Sequence, residues 1–131
     1  MEAKELMISD WVMFNGSYYQ IEEISQKGWV HLTNKGTRVN MTTDYLLEVL
    51  QPIPLTSEIL KANGFIRDGG ASYWHKGKRS AVIIHWNAKM QELLIGSHKE
   101  EGMFRANVKY LHQLQHAFTY CEIDTDFKVD I

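Results

Sequence analysis

The most constraining feature of this chain is a stretch stiffened by prolines that runs into a short helix bracketed at both ends, Leu50 to Phe65. Both prolines of the sequence, Pro52 and Pro54, stand here. Each pushes the residue before it, Gln51 and Ile53, into an extended conformation, because the proline ring clashes with an α-region neighbour. Thr56 then reads as a helix N-cap whose hydroxyl accepts from a first-turn backbone N–H, with Ser57 and Glu58 suited to the positive end of the helix dipole. Leu55 and Leu60 fall at the positions of a hydrophobic staple. At the other end Gly64 suits the left-handed residue that closes a helix, laying Phe65 against Leu60. This helix divides the chain into a strand-and-turn part and a mixed remainder.

At 131 residues there is room for one ordinary domain or two very small ones sharing a core, since domains of about 50 to 60 residues are marginal alone. Hydrophobic residues make up 44% and charged residues 23%, the balance of a folded globular protein. A formal net charge of −2 excludes a broad electrostatic pull toward nucleic acid or anionic membranes, so such a contact needs a local patch. Cys121 is the single cysteine and cannot form an internal disulfide. The first residues, from Met1 to Leu6, lack the apolar core of a secretory signal, and no apolar run reaches the length of a membrane span. Cytoplasmic residence without membrane contact is the expectation.

Residues 1 to 53 predict a small β-barrel. Trp11 to Phe14 reads as a strand closed by Asn15-Gly16, a pair that tolerates the positive φ of a tight hairpin. Ser17 to Ile24 returns, with Tyr19, Ile21 and Ile24 inward and a bulge near Glu22-Glu23. Lys27-Gly28 and Asn34-Lys35-Gly36 turn the chain through Trp29 to Thr33 and Thr37 to Met41. Thr42 to Leu46 reads as one helical turn and Leu47 to Ile53 as a fifth strand. Five short strands in this order are similar to an SH3-like barrel, which would remove exposed edges.

Residues 54 to 131 predict an α+β unit. After the short helix, Asp68-Gly69-Gly70 is a turn, followed by a three-stranded meander of Ser72 to Lys76, Ser80 to Trp86 and Met90 to Gly96. A turn centred on Ala88 and Lys89 sets Ile84 opposite Leu93 and Val82 opposite Ile95. Ser97 to Gly102 is polar and reads as mobile. A helix is predicted over Asn107 to Tyr120, with Val108, Leu111, Gln115 and Phe118 on one stripe and Tyr110, Leu114, Ala117 and Cys121 on the next. From Glu122 onward polar and apolar residues alternate without error, the pattern of a half-buried strand. It predicts a sheet edge or, as the alternative, strand addition in a homodimer. The whole is mainly β with α, an α+β chain.

The segment Pro-Ile-Pro-Leu-Thr-Ser-Glu-Ile-Leu-Lys-Ala-Asn-Gly-Phe at 52–65 and Val-Lys-Tyr-Leu-His-Gln-Leu-Gln at 108–115 resemble paired motifs, “E-P-I-P-L-T-E-E-I-L-L-K-N-G-F” and “Y-V-H-Q-L-Q-N-L”. They belong to a family of uncharacterised proteins of gut Bacteroides-group bacteria and their prophages and phages. The opening Ile-Ser-Asp-Trp-Val is also similar to that family's “I-G-N-W-V”. Gln51 departs from the usual acidic residue, and the tail reads as a strand where the family continues a helix. The resemblance implies an accessory protein of a phage or mobile element and no particular chemistry.

His112 and His116 have the i, i+4 spacing of a helical zinc site, but Gln113 occupies the position where such hydrolases place a general base. With no third ligand to be named, Tyr110, His112 and Gln113 read as semi-exposed or as hydrogen-bonding across to the meander. His75 and His85 read as packing or surface residues. Glu22-Glu23 and Glu100-Glu101 point apart if extended, and Cys121, near a helix C-terminus, gains no thiolate stabilisation. No phosphate loop or nucleophile motif is present, so no catalytic residue, metal or cofactor is expected.

Two binding surfaces remain. Trp11, Tyr18 and Trp29, with Tyr19, offer an aromatic platform of the kind peptide-binding barrels use, against the plainer reading of buried tryptophans. Trp74 with Lys76, Lys78 and Arg79 forms a basic hairpin tip suited to phosphates and a stacked base, against the plainer reading of a solvated turn with Trp74 in the core. The expected function is a non-enzymatic adaptor for a protein partner, with nucleic-acid binding through 75–79 as the alternative.

Overall fold

Asn15 and Gly16 both take positive φ, 51° and 78°, and this tight turn folds β1 (Trp11–Phe14) onto β2 (Ser17–Ile24) in antiparallel register. β3 (Trp29–Asn34) and β4 (Thr37–Thr42) complete a sheet of order β1-β2-β3-β4. The computed structural model describes residues 6–42, 45, 48–75, 82–97, 103–121, 123 and 126–129. The predicted helical turn at 42–46 lies largely outside these residues, as do 76–81 and 98–102.

The register of β2 against β3 shifts between Ile21 and Glu23, the bulge expected where the Glu22-Glu23 pair interrupts alternation. It pairs Ile24 with Val30 and so keeps Ile24 on the face of Ile21, as predicted, although 38% of it stays exposed. Val12, Ile21, Val30, Leu32 and Met41 line the buried face with Leu6 and Leu50, and Phe14, Tyr19 and Val39 pack against them.

The predicted fifth strand shrinks to one residue. Gln51 bridges Met13, each N–H donating to the other's carbonyl at 2.9 Å, whereas Glu48 and Val49 are helical. Pro52 and Pro54 have no N–H with which to extend the ladder. Instead the Ile53 carbonyl accepts from Leu111 N–H at 2.8 Å. Among the described residues the first sheet does not close into a barrel.

Thr56 caps α1 (Ser57–Ala62), its hydroxyl accepting from Ile59 N–H at 3.2 Å. Gly64 follows with φ 89°. Five strands, rather than three, make the second sheet: β5 (Phe65–Arg67), β6 (Ser72–His75), β7 (Val82–Asn87), β8 (Glu92–Ser97) and β9 (Met103–Asn107), in sequence order. Its β7–β8 register is two residues from the predicted one, with Ile84 opposite Ile95 and Trp86 opposite Leu93. The cause is the Asn87 side chain, whose Oδ1 accepts from the N–H groups of Lys89 and Met90. The turn thereby widens to Ala88–Gln91. A two-residue slip preserves which face each side chain occupies.

The long helix, α2 (Leu111–Tyr120), starts four residues later than its apolar stripe suggests. Val108 is held to the sheet instead: its N–H donates to the Gln91 carbonyl and its carbonyl accepts from Trp86 Nε1. The tail is not paired as a strand at 126–129, although Phe127 and Val129 are buried and alternate with exposed Asp126 and Lys128. The side chain of Asn63 satisfies the Lys128 backbone in place of a neighbouring strand.

The chain forms two compact units, 1–54 with 110–115 and 55–109 with 116–131. Within the first, Gln115 receives the Trp11 N–H at 2.9 Å and donates to the Ser9 carbonyl at 2.8 Å. Within the second, Phe118 packs its ring against Phe65, His75 and Phe127. The protein is α+β, built mainly from two antiparallel sheets.

Candidate functional site

Strand alternation decides which side chains of the second unit face out. Tyr73 and Trp86 point to the buried side of their sheet, so Trp74 and His85 must point away from it. The strand registers then align one row across the outer face: Ile66 opposite Trp74, Trp74 opposite His85, His85 opposite Leu94, and Leu94 opposite Arg105. Trp74 is 41% exposed and Ile66 48%. The plainer expectation, with Trp74 in the core, is therefore corrected. Its ring meets that of His85 at 4.4 Å between centroids, tilted by 50°. His85 and Leu94 are half-buried. Arg105, the cation of the row, lies 3.7 Å from the Glu92 carboxylate. The result is an apolar and aromatic strip with a partly neutralised charge at one end.

Lys76, Lys78 and Arg79 lie outside the described residues. Trp11, Tyr18 and Trp29 occupy the outer face of the first sheet. Trp11 and Tyr18 are diagonal neighbours, because Trp11 stands opposite Gln20 and Tyr18 opposite Met13. Trp29, 48% exposed, does not join them. Trp11 aligns through Gln20 with Thr33, and Trp29 is four residues from Thr33 along β3, about 13 Å away. Tyr19 faces inward, edge-on to Phe14 at 6.0 Å.

His112, expected to be semi-exposed or to hydrogen-bond across to the meander, is 2% exposed and stacked on Tyr110. Among the described residues no group of three His, Cys, Asp or Glu side chains is placed to hold a metal ion. Burial pushes the Cys121 thiol up, away from a reactive thiolate. His75 is affected oppositely: burial pushes its pKa down, only partly offset by the Asn63 carbonyl that accepts from the ring.

Ile66 and Arg105 escaped the sequence reading because β5 and β9 were not recognised as strands, and Leu94 because the predicted register of β7 against β8 did not set it opposite His85. Without those flanking strands Trp74 has no visible row to belong to.

The geometry thus defines an α+β protein with an exposed aromatic–aliphatic sheet face. Compared with family models, curated proteins and solved structures, the chain has no match. Among the described residues no helix is long and apolar enough to cross a membrane.

Proposed function

We propose that the chain is a non-enzymatic, protein-binding adaptor whose contact surface is the outer face of the second sheet. The observation that carries this reading is the Ile66–Trp74–His85–Leu94 row. Exposed aromatics flanked by aliphatic residues gain most from an apolar partner surface, where a tryptophan acts as the anchor. A phosphate backbone calls for unpaired cations instead. The cation of this row, Arg105, already has Glu92 beside it, and the net charge of −2 adds no general attraction.

An accessory role in a phage or mobile element is supported by the motifs at 52–65 and 108–115, and cytoplasmic residence accords with such a role. An SH3-like arrangement of the first unit is supported by four sequential strands with Gln51 alongside β1. Trp11 and Tyr18 would then supply a second, smaller aromatic surface. The alternative homodimer through the terminal strand has less support, because Phe127 and Val129 are buried within the chain itself.

The test is affinity capture from element-bearing cells with wild type, Trp74→Ala and Ile66→Ser, followed by titration of the purified partner. The adaptor reading expects a protein that binds wild type and loses at least about tenfold in affinity with Trp74→Ala, as hot-spot truncation does. Equal binding to all three forms rejects this face. Salt-sensitive binding to DNA or RNA that Lys78→Glu with Arg79→Glu abolishes would instead establish the nucleic-acid reading.

A further inference from the structure

His75 sits at the meeting point of three features of the second unit. Its ring packs edge-on against Phe65 at 4.9 Å and against Phe118 at 5.3 Å with an interplanar angle of 88°. Its Nε2 side faces the end of α1, where a Cβ on Gly64 would stand 3.0 Å from Nε2 and where the Asn63 carbonyl accepts from the ring. Its Nδ1 is buried and has no hydrogen-bond partner among the described residues. A neutral ring carrying its proton on Nε2 suits this site. A second proton on Nδ1 would create a buried donor with nothing to receive it.

Asn63, whose carbonyl accepts from His75, also fastens the tail. Its Nδ2 donates to the Lys128 carbonyl at 2.7 Å and its Oδ1 accepts from the Lys128 N–H at 2.7 Å. The same residue is thus in contact with the ring through its backbone and with the tail through its side chain. The geometry points to a proton-operated latch: protonation of His75 at Nδ1 drives the ring out from between Phe65 and Phe118, shifts the Asn63-Gly64 corner, and releases Lys128 with the segment around it.

Among the described residues the groups facing the ring carry no charge to compensate the added proton. From the end of α1 they are the Asn63 carbonyl and Gly64, from β5 Phe65, from β7 its cross-strand partner Ile84, and from α2 Phe118. The titratable or charged side chains on those elements are Glu58, Lys61, Arg67, His85, His112, His116 and Tyr120. His85 lies on the other face of the sheet, in tilted ring contact with Trp74. Burial lowers the ring's pKa more than the Asn63 carbonyl raises it, consistent with a site that favours the neutral form.

The test is NMR of the full chain, wild type and His75→Phe, titrated from about pH 8 to about pH 4.5, a window that spans histidine titration. The latch requires the Lys128 amide signal to move and lose exchange protection with the same midpoint as the His75 ring protons, and to stay in place in His75→Phe. A Lys128 amide that is static while His75 titrates overturns it. So does one that moves identically in His75→Phe. If His75→Phe fails to fold, the wild-type midpoints decide alone: coincidence supports the latch and separation overturns it.

Discussion

The side-chain amide of Asn63 engages both backbone groups of Lys128, donating to its carbonyl and accepting from its N–H, each at 2.7 Å across 65 positions of sequence. One side chain thereby supplies the pair of hydrogen bonds that a neighbouring strand residue would supply. It keeps Phe127 and Val129 buried although residues 126–129 pair with no strand. Its Nδ2 also donates to the Ile59 carbonyl at 2.8 Å, tying the tail to the last turn of α1.

Asn63→Ala removes all three bonds and leaves the Lys128 groups to find water or remain unpaired. The expected loss is about 2 kcal/mol, given that an orphaned buried partner costs roughly 1–3 kcal/mol. Asn63→Asp should be no better, since it keeps the acceptor but turns a second oxygen toward the Lys128 carbonyl. Urea denaturation of the three proteins checks this order. Asn63→Asp matching wild type would show that the donor half of the contact contributes nothing.

Gly64 differs from most glycines of this chain in having something beside it. Gly64→Ala places a methyl group 3.0 Å from His75 Nε2 while φ remains 89°. Gly28 has nearly the same φ, 90°, and nothing within 4 Å. Both changes carry the left-handed penalty of about 1–2 kcal/mol. Only Gly64→Ala adds displacement of a ring fixed between two phenylalanines, so its measured stability should fall further. Equal losses for the two variants would place the whole effect in the backbone.

The pH dependence of stability follows from the direction of the His75 shift. The folded-state pKa lies below the ordinary 6.5 because burial disfavours the charged ring. Between the folded and unfolded values the unfolded chain binds more protons, so stability rises with pH in that window. The contribution is complete above about pH 6.5 and is lost as pH falls through the folded value. Urea midpoints across that range should therefore decline on acidification in wild type and decline less in His75→Phe. Parallel curves would assign the decline to other groups.

What was legible in the sequence was local. The caps of α1 are within a residue or two of the helix they close, and Asn15-Gly16 determines its hairpin without help from elsewhere. Features decided by distant partners were misread. Val108 has the spacing of a helical residue, yet its carbonyl accepts from Trp86, 22 positions away, and the helix starts after it. At 126–129 the predicted alternation of a buried and an exposed face is present, but period two does not reveal whether the backbone partner is a strand or an asparagine. The candidate site suffered most, because Trp74 acquires its apolar surroundings from Ile66 and Leu94, on strands β5 and β8 to either side of the β6–β7 hairpin. β5 has only three residues, too few for a periodicity to declare itself.

Trp74 and Trp86 lie on adjacent strands and opposite faces, and their substitution should separate binding from stability. Trp86 is 4% exposed and its Nε1 donates to the buried Val108 carbonyl at 2.9 Å. Trp86→Phe deletes that donor and opens a void, an expected loss of about 2–3 kcal/mol. Trp74→Ala removes a ring that already faces solvent and makes a tilted ring contact with His85, so its expected cost is under about 1 kcal/mol. Affinity for a partner on the outer face should respond in reverse, falling with Trp74→Ala and holding in Trp86→Phe at temperatures where that variant stays folded. Urea denaturation alongside partner titration tests both halves. A large stability loss from Trp74→Ala would mean that the ring belongs to the structure, and the exposed row would no longer stand as the contact surface.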